Sequence, residues 1–184
     1  MVDPVIARRV RLVGFDVDGV MTDGGVYVGR AGNHDVELKR FDIQDNVGLM
    51  LLRSVGIRVV IVSGRVSPAT EIRARELAVD GMVQDDAAHK LPAFEAFLAE
   101  HGVAMDEAAF VGDDLPDVPV LRRVALPVAV ANAVPEARAS AVFVTKAAGG
   151  CGAVREFCEV LLRARDEWET AVGRYLGARG ERGA

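Results

Sequence analysis

The sequence has no apolar run of the roughly 18 residues that a bilayer-spanning helix needs, so no membrane partner is expected. Its first residues, Met1-Val2-Asp3-Pro4, lack the basic stretch and apolar core of a secretory signal, and a cytoplasmic location is expected. Cysteine is scarce: Cys151 and Cys158 show no framework spacing, so reduced thiols are expected. The three histidines, His34, His89 and His101, are scattered, and no His/Cys set is available for zinc. Positive charge is also short. The 22 Lys and Arg against 27 Asp and Glu leave a net charge of −5, which weighs against a nucleic-acid partner. No internal repeat, low-complexity tract or linker interrupts the chain. What remains is 184 residues, 51% hydrophobic and 27% charged, the composition of one globular domain over 1–184. Beyond Arg165 the chain turns charged and then Gly-rich, and the end at about 178–184 is expected to fray.

Short β-like runs alternate with helical ones. Val10–Phe15 is the first strand candidate, and Ile57–Val62, rich in β-branched residues, is the second. Weaker strands are expected at Gly81–Val83, Ala109–Val111, Val128–Val130 and Val142–Val144. Between them, Asp45 is read as the cap of a helix ending at Gly56, and Ser67-Pro68 opens the next. Leu91 to His101 carries apolar residues at helical spacing up to Gly102, and a last apolar helix begins near Ala153. This alternation implies an α/β fold, a Rossmann-like parallel sheet flanked by helices. One segment departs from it. Val26–Val28 and Val36–Lys39, joined by the turn-like Gly29–Asn33, predict a projecting β-hairpin.

Open parallel sheets bind ligands at the carboxyl ends of their strands. There the sequence places Asp16-Val17-Asp18-Gly19, Ser63-Gly64-Arg65, Lys90 at a helix start, and Gly112-Asp113-Asp114-Leu115-Pro116-Asp117. If their strands are neighbours, Asp16 and Asp113 repel by roughly 4 kcal/mol at about 4 Å and an effective dielectric near 20. Oxygen ligands alone, crowded in this way, select a hard cation, Mg²⁺. Once screened by that ion and Lys90, a carboxylate can attack a phosphoryl group. Asp16 is the candidate nucleophile. Asp18, on the other side of the loop, can protonate a leaving alcohol and later deprotonate water. Ser63 and the Gly64 N–H can hold phosphoryl oxygens. Each feature alone has an ordinary explanation: a turn, a helix cap, a surface lysine. Their coincidence in strand-end order is what points to chemistry.

Asp16-Val17-Asp18-Gly19-Val20-Met21-Thr22-Asp23, Val62-Ser63-Gly64-Arg65, Lys90 and Gly112-Asp113-Asp114-Leu115-Pro116-Asp117 resemble the four motifs of the haloacid dehalogenase superfamily of phosphatases. The resemblance spans about Arg11 to Val160. More narrowly, the hairpin, Phe41-Asp42-Ile43-Gln44-Asp45 and Gly149-Gly150-Cys151-Gly152-Ala153-Val154-Arg155-Glu156 are similar to the capless 3-deoxy-D-manno-octulosonate 8-phosphate phosphatase family. The resemblance implies Asp16 as nucleophile and Mg²⁺ ligand, Asp18 as acid/base with its carbonyl on the metal, and Asp113 as the remaining protein ligand. Asp114 and Asp117 would support the metal site and Lys90. Asp42, Asp45, Asn46, Arg65 and Arg73 become candidates for contact with a small-molecule sugar phosphate. A homotetramer is implied as well, because capless members close their sites with neighbouring subunits.

Gln44, Met50 and Cys151 stand where that family tends to carry arginine, the residue suited to a sugar-acid carboxylate. Another sugar phosphate, such as a nonulosonate 9-phosphate, is therefore a rival substrate. A phospho-receiver signalling domain, with its acceptor at Asp85, is a rival of another class, and a catalytically silent interaction module is a further one. For Arg73, a solvated helix face is the competing reading. Trp168 and Tyr175, on one helical face, are expected to pack in the core or between subunits.

Overall fold

The computed structural model describes residues 2–180. In chain order the elements are α1 (Pro4–Arg9), β1 (Leu12–Phe15), β2 (Tyr27–Ala31), β3 (His34–Leu38), α2 (Ile43–Ser54), β4 (Arg58–Ser63), α3 (Pro68–Leu77), β5 (Gly81–Gln84), α4 (Lys90–Glu100), β6 (Ala108–Gly112), α5 (Val118–Leu121), β7 (Leu126–Ala129), α6 (Pro135–Ala139), β8 (Phe143–Val144), α7 (Ala153–Ala164) and α8 (Trp168–Gly177). Six strands form one sheet in the order β5-β4-β1-β6-β7-β8, every pairing parallel. This is the Rossmann-like α/β fold expected from the alternation. β1 lies inside the sheet with all four residues buried, as a strand covered on both faces requires. β2 and β3 form the separate antiparallel hairpin, with Gly32 at its turn at φ +63°. Only this hairpin and α2 lie between β1 and β4, so no cap domain is inserted there.

The helix starts follow local chemistry. Ser67 caps α3 by accepting from the Thr70 N–H at 3.3 Å, and Pro68 occupies the first turn. Two readings of the sequence need correction. α2 is capped by Asp42, whose side chain accepts from the Gln44 N–H at 2.8 Å; Asp45 lies one turn inside the helix. α1 was not expected, although Asp3 caps it and Pro4 opens it. Six residues were too few to show a helical period.

Phe15, Phe94, Phe110 and Phe157 are fully buried, each burial being worth roughly 2–3 kcal/mol. Phe94 and Phe110 meet edge-to-face with centroids 5.3 Å apart. Gly14 of β1 makes room for them: a Cβ there would lie 2.6 Å from Phe94 and 2.7 Å from Phe110. α8 packs back on α2 and α7. Trp168 lies beneath the Arg155 and Arg163 guanidiniums, and both Trp168 and Tyr175 pack on the chain's own core. Ala178–Gly180 continue as turn after α8; the rest of the expected frayed tail, 181–184, lies outside the described residues. Among the described residues, no helix is long and apolar enough to cross a membrane.

Replacing Gly14 by alanine forces the two phenyl rings apart. Urea unfolding of Gly14→Ala is expected to show a loss of about 1–3 kcal/mol. An unchanged midpoint would contradict this packing.

Candidate active site

Asp16 follows β1 and continues its ladder, its N–H donating to the Val111 carbonyl at 3.0 Å. The chain then folds sharply. The N–H groups of Val20, Met21 and Thr22 all converge on the Val17 carbonyl at 3.0–3.3 Å. Thr22 Oγ1 donates to the same carbonyl at 3.2 Å and accepts from the N–H groups of Gly19 and Gly24. Gly19 sits at φ +90°, and a Cβ there would come 2.0 Å from Asp113 Oδ2. Glycine is therefore needed twice over, for the backbone angle and for the approach of the two loops. Asn132 pins the same loop from the far side, donating to the Gly19 carbonyl at 2.9 Å and accepting from the Gly149 N–H at 2.7 Å.

Because β1 and β6 are neighbours, Asp16 and Asp113 do meet. Lys90, at the first turn of α4, lies between the carboxylates: its Nζ is 2.7 Å from Asp16 Oδ1 and 2.7 Å from Asp117 Oδ1. Asp117 Oδ2 accepts from the N–H groups of Asp113 and Asp114 at 2.9 and 3.2 Å. Burial raises the pKa of Asp16 well above the usual carboxylate range, with Asp117 adding to the effect and Lys90 opposing it. Burial, reinforced by Asp117, pushes Asp113 up to about 6. Burial alone would lower Lys90, but Asp16 and Asp117 outweigh it and its pKa rises.

This donor set fits a divalent cation. Oxygens of Asp16, Asp113 and Asp117 lie within 4.8 Å of one another, and three carboxylates against one ammonium leave two negative charges to balance. Both Asp117 oxygens are taken by hydrogen bonds, whereas Asp113 Oδ1 is buried and accepts none. Asp16 and Asp113 are therefore the carboxylates free to bind the ion, and all-oxygen ligation suits Mg²⁺.

A cavity of about 170 Å³ opens beside this cluster, its lining including Asp16, Asp18, Ser63, Arg65, Lys90 and Asp113, with Gly64 and Asp114. Ser63 is buried, its hydroxyl donating to the Arg65 carbonyl at 3.0 Å. Gly64 keeps the wall thin, since a Cβ would lie 3.3 Å from the Lys90 side chain. Asp18 turns away from the cluster to Lys39, whose Nζ lies 2.8 Å from Asp18 Oδ1.

Other expected residues do not line the cavity. Asp42 is the α2 cap. Asp45 is 2% exposed and accepts from the Arg155 N–H at 2.8 Å, tying α2 to α7. Asn46 is half-buried on α2. Arg73 is neither in the cavity nor on a solvated face: it stacks over Phe41 at 5.5 Å, with its side chain 13% exposed. Asp117 lies beneath the cavity, fully buried. Gln44 and Cys151 border a separate depression with Lys146, Arg155 and Arg163. Asp85 caps the turn before α4, accepting from the Ala87 and His89 N–H groups, and is not poised as a phosphate acceptor. Sequence reasoning missed Lys39 and Asn132. A lysine ending an alternating strand reads as solvated, and nothing in the sequence signals that it turns inward.

The model of the family described as haloacid dehalogenase-like hydrolase matches residues 82–157. The chain is 42% identical over 173 residues to the 3-deoxy-D-manno-octulosonate 8-phosphate phosphatase KdsC of Yersinia pestis, covering 93% of this chain and 90% of that protein. The chain belongs to this phosphatase family of haloacid dehalogenase-like hydrolases. The KdsC of Salmonella typhi is 40% identical over 170 residues, with 92% and 88% of the two chains covered. The Moraxella catarrhalis 3-deoxy-D-manno-octulosonate 8-phosphate phosphatase, whose structure was solved with a magnesium ion, phosphate and KDO, superposes with a TM-score of 0.87. It is 32% identical, with 94% and 97% of the two chains covered. Family membership bears out the expected enzyme class, a phosphoric monoester hydrolase, and rules out the receiver and silent-module readings.

Within this family member, Asp45 offers a pH test. Burial raises its pKa from 3.8 to about 6, opposed by the Arg155 N–H. The folded state thus holds the proton more tightly than the unfolded chain. The cost of ionising Asp45 is absent below about pH 4, grows through pH 4–6, and is complete above. The stability of Asp45→Asn relative to wild type should therefore rise by about 2–3 kcal/mol from pH 4 to pH 7.5. Urea unfolding at both pH values checks this; a difference independent of pH would contradict it.

Proposed function

We propose that the chain hydrolyses 3-deoxy-D-manno-octulosonate 8-phosphate in the presence of Mg²⁺, through an aspartyl-phosphate on Asp16. The observation that carries this reading is the placement of two carboxylates with different partners around one small cavity. Asp16 is held by Lys90 in the cation cluster, and Asp18 is held by Lys39 outside it. Environments that separate two acids in this way assign them different roles.

Asp16, Asp113 and the Asp18 carbonyl would hold Mg²⁺, whose charge would offset the repulsion between the phosphoryl oxygens and the attacking carboxylate. Asp16 Oδ attacks phosphorus. The bond from phosphorus to the sugar oxygen breaks, and Asp18 supplies the proton that the departing alkoxide needs. Lys90, Ser63 and the Gly64 N–H hold the phosphoryl oxygens, while Asp114 and Asp117 keep the β6 loop and Lys90 in place. Asp18, now ionised, takes a proton from water as that water attacks the phosphoaspartate, and Asp16 and inorganic phosphate are released.

The cavity of about 170 Å³ admits a phosphoryl group but falls short of the roughly 300–1,000 Å³ that encloses a larger ligand. This supports a site completed by neighbouring subunits of a homotetramer. The exposed apolar side chains of Tyr27, Val28 and Leu38 on the hairpin support the same assembly. We place the enzyme in the cytoplasm. Arg65 is the guanidinium at the cavity. Asp42, Asp45, Asn46 and Arg73 would then act on the sugar indirectly, by shaping the surface that a neighbour covers.

Asp16→Asn should lower kcat by about 10⁴-fold or more, with circular dichroism unchanged. EDTA should abolish turnover, and Mg²⁺ should restore it. Wild-type-like turnover by the variant would refute the nucleophile. In a panel of sugar phosphates, the octulosonate 8-phosphate should give the highest kcat/KM. A preference for a nonulosonate 9-phosphate would instead assign Gln44, Met50 and Cys151 to a changed sugar specificity.

A further inference from the structure

Lys39 follows β3, where the hairpin returns to the body of the protein. Its side chain is wholly buried, which for an ammonium requires partners on every side. They are present. Nζ lies 2.8 Å from Asp18 Oδ1, donates to Asp18 Oδ2 at 3.0 Å and donates to Thr70 Oγ1 at 3.3 Å. Thr70 is itself buried on α3 and fixed by the Ser67 cap. Two residues earlier, and so on the same face of the strand, Glu37 accepts from Arg65 Nη2 at 2.6 Å and from the Ser67 hydroxyl. Inward side chains at 37 and 39 thus grip the wall of the cavity together.

The consequence for Asp18 is specific. It stands two residues from Asp16, yet it takes no part in the cluster of Asp16, Asp113 and Asp117. Arg65, 3.9 Å away, is the only other cation beside it among the described residues. Both of its oxygens face the Lys39 ammonium: Oδ1 lies 2.8 Å from Nζ and Oδ2 accepts from it at 3.0 Å. This ion pair fixes the carboxylate at the cavity, which Asp18 itself lines.

We propose that Lys39 is the positioning residue for the leaving-group step, holding the Asp18 carboxylate out of the cation cluster and toward the departing sugar oxygen. The proposal rests on the assignment of Asp18 as acid/base. Lys39 does not line the cavity, and it pairs with Asp18 while Asp16 pairs with Lys90, so its effect falls on proton transfer and spares substrate binding.

The test uses full-length enzyme with Mg²⁺ and two substrates. The octulosonate 8-phosphate releases an alkoxide that must be protonated, whereas p-nitrophenyl phosphate releases a phenolate that departs without help. Release of the leaving group is followed in the first turnover, with enzyme in excess, so that only the first chemical step is read. Lys39→Met should slow that step about 100-fold on the sugar phosphate and by less than about threefold on p-nitrophenyl phosphate, with the concentration dependence on substrate unchanged. Lys39→Arg, which keeps the charge but alters its reach, should show the same selectivity at smaller amplitude and serves if the methionine variant does not fold. Asp18→Asn run in parallel should match the Lys39→Met pattern. Selective loss in Asp18→Asn with equal loss on both substrates, or none, in the Lys39 variants would overturn the role of Lys39 alone. Unselective loss in Asp18→Asn would overturn the acid/base assignment, and the proposal with it. A weakening of substrate binding alone in the Lys39 variants would also overturn it, making Lys39 a substrate contact.

Discussion

The buried ammonium of Lys90 between Asp16 and Asp117 is the interaction on which the rest of the site depends. Two 2.7 Å contacts join the ends of β1 and β6 to the first turn of α4. Removing one partner from so buried a group is severe, about 3–5 kcal/mol for typical ion pairs, because the remaining charge is left uncompensated. The cluster is nevertheless short of positive charge. Burial first, and the neighbouring Asp117 second, raise Asp16 and Asp113, and the shortage of positive charge suits the site to a divalent cation.

The fold serves this constraint through small residues as much as charged ones. Gly19 lets the loop after β1 come against Asp113. Gly149, whose Cβ would lie 1.8 Å from the Gly19 carbonyl, lets the Gly-rich turn close on that loop. Asn132 joins the two with both ends of its amide. The hairpin backs the cavity from outside, its Glu37 and Lys39 holding the lining residues Arg65 and Asp18. On the proposed reading, the phosphoryl end of the cavity is built by the sheet, and the leaving-group end is held by a projection from it.

Much of the fold was legible because parallel strands covered on both faces are continuous apolar runs, as Leu12–Phe15 and Arg58–Ser63 largely are. The boundaries were less so. Asp42 and Asp45 are both aspartates at the start of one helix, and only the extended backbone at Asp42 shows which of them caps it. Arg73 and Asp45 read as polar groups available to a ligand. In the folded chain Arg73 stacks on Phe41, and Asp45 accepts an N–H from 110 residues away.

By itself the sequence determined the phosphoryl chemistry of this protein. Ser63 ends a strand, Lys90 opens a helix, and Asp16, Asp18 and Asp113 lie just beyond strand ends, which in a parallel sheet share one edge. Local order along the chain was enough to bring them together. Tertiary structure alone decided which oxygens remain free, why Asp117 is committed to hydrogen bonds, and why Lys39 reaches Asp18. Those contacts join the hairpin, α3 and the β6 loop across long separations. Their geometry depends on how the elements pack, which no local pattern records.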